Sequence, residues 1–141
     1  MCNLGASRLS VAGVKEYSLE FEGNVLTSDR PRHDRFRELQ AAAPNATIGA
    51  PTYGWINAAI KGFDDVHHPD RLAKIKTPIR IVSAEKDFLV DSTDHGLLAE
   101  ASSAIDCITV KDALHEILME RDEFRDQFWA AFDEFIAPEF S

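Results

Sequence analysis

Two short apolar runs in the second half of the chain, Ile79–Ser83 and Cys107–Val110, set the tightest limit on what this sequence can fold into. Each is only a few residues long and rich in β-branched side chains, the pattern of parallel strands covered on both faces. Between them Asp91 or Ser92 can cap a helix carrying Leu97, Leu98 and Ala101, which gives strand, helix, strand. A long helix then starts near Asp122, with Phe124, Phe128, Phe132 and Phe135/Ile136 as its inward stripe. Two parallel strands joined by one helix leave both sheet edges open and one face bare, and open edges recruit further strands. The expectation is an α/β fold in which these strands are the end of a larger sheet.

Upstream the pattern is helical. Asp29 can cap a helix with Pro31 in its early turn and Phe36, Leu39 and Ala43 on its apolar side, ending at Pro44–Asn45. Thr52 can cap a second, carrying Trp55, Ile56, Ala59, Ile60 and Phe63, with a break at Gly62. A short third helix is expected from Pro69 to Ile75, with Leu72 and Ile75 inward. Residues 1–20 show no period and read as loop. The chain therefore divides into that segment, a helical region over 21–76, and a β-α-β-α unit over 77–141.

A formal charge of −9 argues against nucleic acid or an anionic membrane surface as an obligate partner, and leaves a neutral or zwitterionic lipid substrate open. No stretch approaches the ~20 apolar residues of a membrane span, and residues 1–10 lack the features of a leader, so a cytoplasmic chain is expected. Cys2 and Cys107 fall in no ligand spacing and read as reduced thiols. Asn45–Ala46–Thr47 matches a glycosylation acceptor, which matters only in a secreted protein and reads as a chance match.

The chemistry gathers in the loops after the two strands. Asp87 follows the first run and His115 the second. Loops leaving the carboxyl ends of adjacent parallel strands lie side by side, so this acid and this imidazole can meet. Strand, acid, helix, strand, histidine is the order of the last two members of a Ser–Asp–His triad. On spacing alone the plainer reading stays open: a turn aspartate and a solvated histidine at a helix start. No G-x-S-x-G elbow occurs: Ser7 has Gly5 before it but Leu9 after it, and Ser83 lies within the strand itself. Asp91 is a rival acid but fits better as a helix cap. Glu116 and Glu120 read as helix-start charges. The cluster Asp64–Asp65–Val66–His67–His68–Pro69–Asp70 holds ligand-type residues, but Pro69 there marks a helix start, and neither metal nor cofactor is expected.

Several segments carry a resemblance: Asn24–Val25–Leu26–Thr27–Ser28–Asp29; Pro51–Thr52–Tyr53–Gly54–Trp55; Ser83, Asp87, Val90 and Asp91; and His115–Glu116–Ile117–Leu118–Met119–Glu120. Together they resemble the lysophospholipase branch of the α/β hydrolases, similar to monoacylglycerol lipases and serine aminopeptidase-like hydrolases, from about Phe21 to Ile136. The resemblance implies the lid and the C-terminal part of an α/β-hydrolase fold, with the N-terminal sheet and nucleophile elbow absent. It makes Asp87 the catalytic acid and His115 the general base, and sets Tyr53 and Trp55 in the lid over an acyl-chain pocket. It implies a lysophospholipid or monoacylglycerol-type ester as substrate, and a chain inactive alone, needing a missing N-terminal half or self-association. The rival expectation is a non-catalytic interaction module that assembles through its open sheet edge. Two departures stand out: Glu85 occupies a position where the family often has glycine, and Asp112 and Leu114 stand where it favours glycine and arginine.

Overall fold

The computed structural model describes residues 5–12, 20–46 and 49–137. Cys2, Thr47 of the glycosylation match and much of the 1–20 segment lie outside them. Strands β1 (Ile79–Ala84) and β2 (Ile105–Val110) form a two-stranded parallel sheet, joined by helix α4 (Thr93–Ala101), so the architecture is α/β. The register runs from Ile79 opposite Ile105 to Ala84 opposite Val110. Both strands therefore end at the same level, and their outgoing loops start side by side.

Strand β2 begins two residues before the apolar run that announces it. Asp106 interrupts that run, yet it faces its register partner Arg80 at 2.7 Å, and Arg80 also reaches Glu134 at 2.8 Å. A cross-strand ion pair thus occupies a position where hydropathy signals no strand. The core sits beneath the carboxyl end of the sheet. Ala84, Val110, Ala113, Ile117 and Phe124 are buried together, with Val82 and Phe128 packed against them.

Helix α5 (Asp122–Ile136) turns Phe124 and Ala131 inward, while Phe132 is exposed and stacks on Phe128 instead. The inward stripe thus runs through 124, 128 and 131, and the expected place of Phe132 in it is corrected. Helix α1 (Arg30–Ala42) is capped by Asp29, whose Oδ1 accepts the Arg32 amide at 2.9 Å. Its buried residue is His33, edge-on to Phe21; Phe36 is half-buried but Leu39 and Ala43 are exposed, so the expected apolar side is covered only in its first part. Helix α2 (Tyr53–Val66) is capped by Thr52 and continues through Gly62, which a helix interior tolerates at about 1 kcal/mol. Gly54 is required there: a Cβ would lie 2.6 Å from the Ser7 carbonyl oxygen. Helix α3 (Pro69–Leu72) stops three residues short of Ile75, and its Leu72 is buried. Residues 6–8 form a 3-10 turn, and Ser10 pairs with Thr52, so structure extends into a segment expected to be loop.

Candidate active site

The loops leaving β1 and β2 are zipped together before they reach their polar residues. The Glu85 amide donates to the Val110 carbonyl at 3.2 Å and the Lys86 amide to that of Ala113 at 2.9 Å, continuing the sheet past its last pair. The two departures from the family pattern meet at this point. Asp112 adopts φ 63°, the left-handed conformation that glycine takes freely and aspartate better than most residues. Its amide donates to Glu85 Oε2 at 2.9 Å, and its carboxylate pairs with Lys86 at 2.5 Å. Glu85 and Asp112 thus support each other where glycines would serve by conformational freedom.

This brings Asp87 and His115 together. His115 Nδ1 lies 2.7 Å from Asp87 Oδ2, and Nδ1 donates. Asp87 Oδ1 accepts the amides of Leu89 at 2.8 Å and Val90 at 3.2 Å, a local turn that fixes the carboxylate plane. The aspartate side chain is only 5% exposed, whereas the histidine keeps 30% of its surface. Burial pushes the Asp87 carboxyl up, but the Leu89 amide, the His115 ring and the Val90 amide outweigh it and hold it below its ordinary value. Chemically, a buried carboxylate fixes one imidazole nitrogen as a donor, and the ring's other nitrogen meets no hydrogen-bond partner among the described residues.

The neighbouring candidates have other partners. Asp91 accepts the Thr93 amide at 3.0 Å and the Thr93 hydroxyl at 2.6 Å, which lowers its carboxyl, so it caps the turn into α4. Ser83, buried in the strand, has its Oγ 2.8 Å from His95 Nδ1, so its hydroxyl is taken up by that ring. Tyr53 and Trp55 lie on α2, which packs on α3 and the 6–8 turn; the Tyr53 hydroxyl accepts the Ala12 amide at 3.5 Å, and Trp55 is exposed. In the 64–70 cluster, His68 caps α3 and Asp65 pairs with Arg71 at 3.1 Å. Among the described residues no group of three His, Cys, Asp or Glu is placed to hold a metal ion. Burial pushes the Cys107 thiol up, with Asp106 adding to the effect, so it is not an activated thiolate.

Glu120 departs most from expectation. Read as a helix-start charge, it stands just before α5 but is fully buried, and it accepts from Ser28, Leu114 and Arg121. Thr27 is buried beside it and donates its hydroxyl to the Met119 carbonyl at 2.7 Å. Hydropathy carries no signal for either. The one available clue was the pairing of the 24–29 and 115–120 segments within a single resemblance.

The serine aminopeptidase family S33 matches residues 5–122. The chain is 32% identical over 118 residues to lysophospholipase L2 of Escherichia coli K12, covering 77% of this chain and 33% of that protein. It is 28% identical over 123 residues to the probable lysophospholipase L2 of Haemophilus influenzae, covering 86% of this chain and 39% of that one. The chain thus spans little more than a third of the length of these relatives. No helix among the described residues is long and apolar enough to cross a membrane. By sequence match and by its α/β architecture, the chain belongs to the serine aminopeptidase S33 family, in the lysophospholipase-like branch of the α/β hydrolases.

Proposed function

We propose that these residues carry the acid and the base of a Ser–Asp–His ester hydrolase whose substrate is a lysophospholipid or monoacylglycerol-type ester. The observation that carries the reading is the 2.7 Å bond between His115 Nδ1 and a buried Asp87 that two amides hold in place. Asp87 keeps Nδ1 protonated, which leaves Nε2 as the basic nitrogen. His115 Nε2 takes the proton of a serine hydroxyl as that oxygen attacks the acyl carbonyl, and then returns it to the departing alcohol. The lysophospholipid is taken from the names of the relatives, and the monoacylglycerol-type ester from the resemblance of the sequence to monoacylglycerol lipases.

No G-x-S-x-G occurs in the 141 residues, so the serine and its oxyanion donors come from sequence outside them, on the same polypeptide or on a partner. In this reading residues 21–76 are the lid region, with Tyr53 and Trp55 over the acyl chain, and residues 77–141 are the C-terminal part of the hydrolase core. A second reading rests on the sheet having two strands: a non-catalytic module that binds a partner strand at its open edge.

The test is co-expression with an upstream half that encodes strand, G-x-S-x-G and helix, followed by short-chain ester hydrolysis. His115→Ala is expected to lower the rate about 10³-fold or more, and Asp87→Asn comparably. Activity that survives His115→Ala sinks the assignment, and assembly without hydrolysis favours the module. A fluorophosphonate is expected to leave the 141-residue chain unlabelled.

A further inference from the structure

Glu120 is the bulkiest of the fully buried side chains among the described residues, and the acid–base chemistry above makes no use of it. It follows the 3-10 turn at Ile117–Met119 and directs its carboxylate back toward the histidine loop. Its Oε1 accepts the Leu114 amide at 3.0 Å. Its Oε2 accepts the Ser28 amide at 3.1 Å, the Ser28 hydroxyl at 2.5 Å and the Arg121 amide at 3.2 Å. On the other side of His115, the Glu116 amide donates to the Leu26 carbonyl at 2.8 Å. Arg32 reaches over to the Glu120 carbonyl oxygen, which ties α1 to the same loop.

Every group that meets this carboxylate is a donor, and a carboxylate is the side chain that only accepts. An apolar residue of similar volume would fill the space without the desolvation penalty of a buried charge, but it would leave three backbone amides unpaired. The amides immediately before and after His115 are therefore both anchored outside their own loop, one on Glu120 and one on Leu26. We infer that Glu120 is a positioning residue for His115, its carboxylate clamping the Leu114 amide to the Ser28 segment so that the ring is presented to Asp87. The inference rests on the reading of Asp87 and His115 as acid and base. A misplacement of about 1 Å at such a ring is enough to lose on the order of 100-fold in rate.

Ring nitrogen-15 shifts of His115 in the intact 141-residue chain separate positioning from mere packing. They are read on the alkaline plateau of their own pH titration, where the shifts no longer change. The wild-type chain is expected to show one tautomer, protonated at Nδ1, and Asp87→Ala a mixture. Glu120→Gln, which turns an amide NH2 toward one set of donors, is expected to move the shifts toward the Asp87→Ala mixture while the amides of β1 and β2 keep their native positions. If Glu120→Gln does not give a native spectrum, Ser28→Ala decides. It removes one donor, keeps the buried carboxylate, and is expected to move the His115 shifts the same way by less. Wild-type shifts retained in folded Glu120→Gln, or in Ser28→Ala where that variant decides, overturn the positioning role alone. A wild-type chain whose tautomer does not depend on Asp87 overturns the acid–base reading itself.

Discussion

Helix α2 and the carboxyl end of the sheet are built on opposite plans. In α2 no residue is buried, and Trp55, Ile60, Phe63 and Val66 are all half exposed or more. At the sheet end two of the three bulkiest fully buried side chains are polar, Glu120 and Thr27. Four large apolar side chains of α2 are thus wetter than a carboxylate at the sheet end. Packing buries the apolar cluster at the sheet end, whereas Glu120 and Thr27 are buried where backbone donors and acceptors converge on them. The loops at the sheet end turn sharply and expose amides that need acceptors, whereas a helix such as α2 satisfies its own.

The largest effect expected from this contrast is at Glu120. Glu120→Ala removes a fully buried carboxylate and leaves the amides of Leu114, Ser28 and Arg121 without the acceptor they converge on. Each buried unsatisfied group costs about 1–3 kcal/mol, so a total loss of about 3 kcal/mol or more is expected in urea unfolding of the chain. Against a usual domain stability of roughly 5–15 kcal/mol that is a severe lesion. A loss under about 1 kcal/mol would show that water reaches those amides, and the contrast with α2 would collapse.

That result also bears on what the sequence could reveal. The β-branched runs at 79–83 and 107–110 identified the parallel pair, and strand-end geometry then placed Asp87 beside His115. Caps at Asp29 and Thr52 were legible because capping is a local bond between a side chain and an amide three residues on. Glu120 was not legible, since its partner Ser28 is 92 residues away and nothing local distinguishes it from a solvated helix-start acid. Leu39 and Phe132 failed for the converse reason. Helical periodicity shows which face is apolar, but not whether another element covers it.

A smaller effect is expected at Asp112, where the zipped loops depend on a left-handed residue. Asp112→Gly loses an exposed ion pair with Lys86, which is worth little, and gains backbone freedom at φ 63°. Asp112→Ala loses the same pair and keeps a Cβ in the strained conformation. Alanine is expected to be about 1 kcal/mol less stable than glycine in matched denaturant titrations. Equal stabilities would mean that the loop relaxes out of that conformation. The Glu85–Asp112 bond would then not be what holds the acid and histidine loops in register.

The smallest effect is expected on α2. Ile60 is 57% exposed, so Ile60→Gln removes little buried area and exchanges a β-branched residue for a slightly better helix former. The expected change in unfolding free energy is within about 0.5 kcal/mol, in either direction. The measurement is made across protein concentrations, because an apolar helix face covered by a second copy would make the wild-type midpoint rise with concentration. A loss above about 1 kcal/mol that vanishes on dilution would show that α2 is buried in solution, and the two regions would then differ only in what covers them. A small, concentration-independent change would leave the contrast as it stands: a helix with its apolar face to solvent beside a sheet end whose core is closed around a carboxylate.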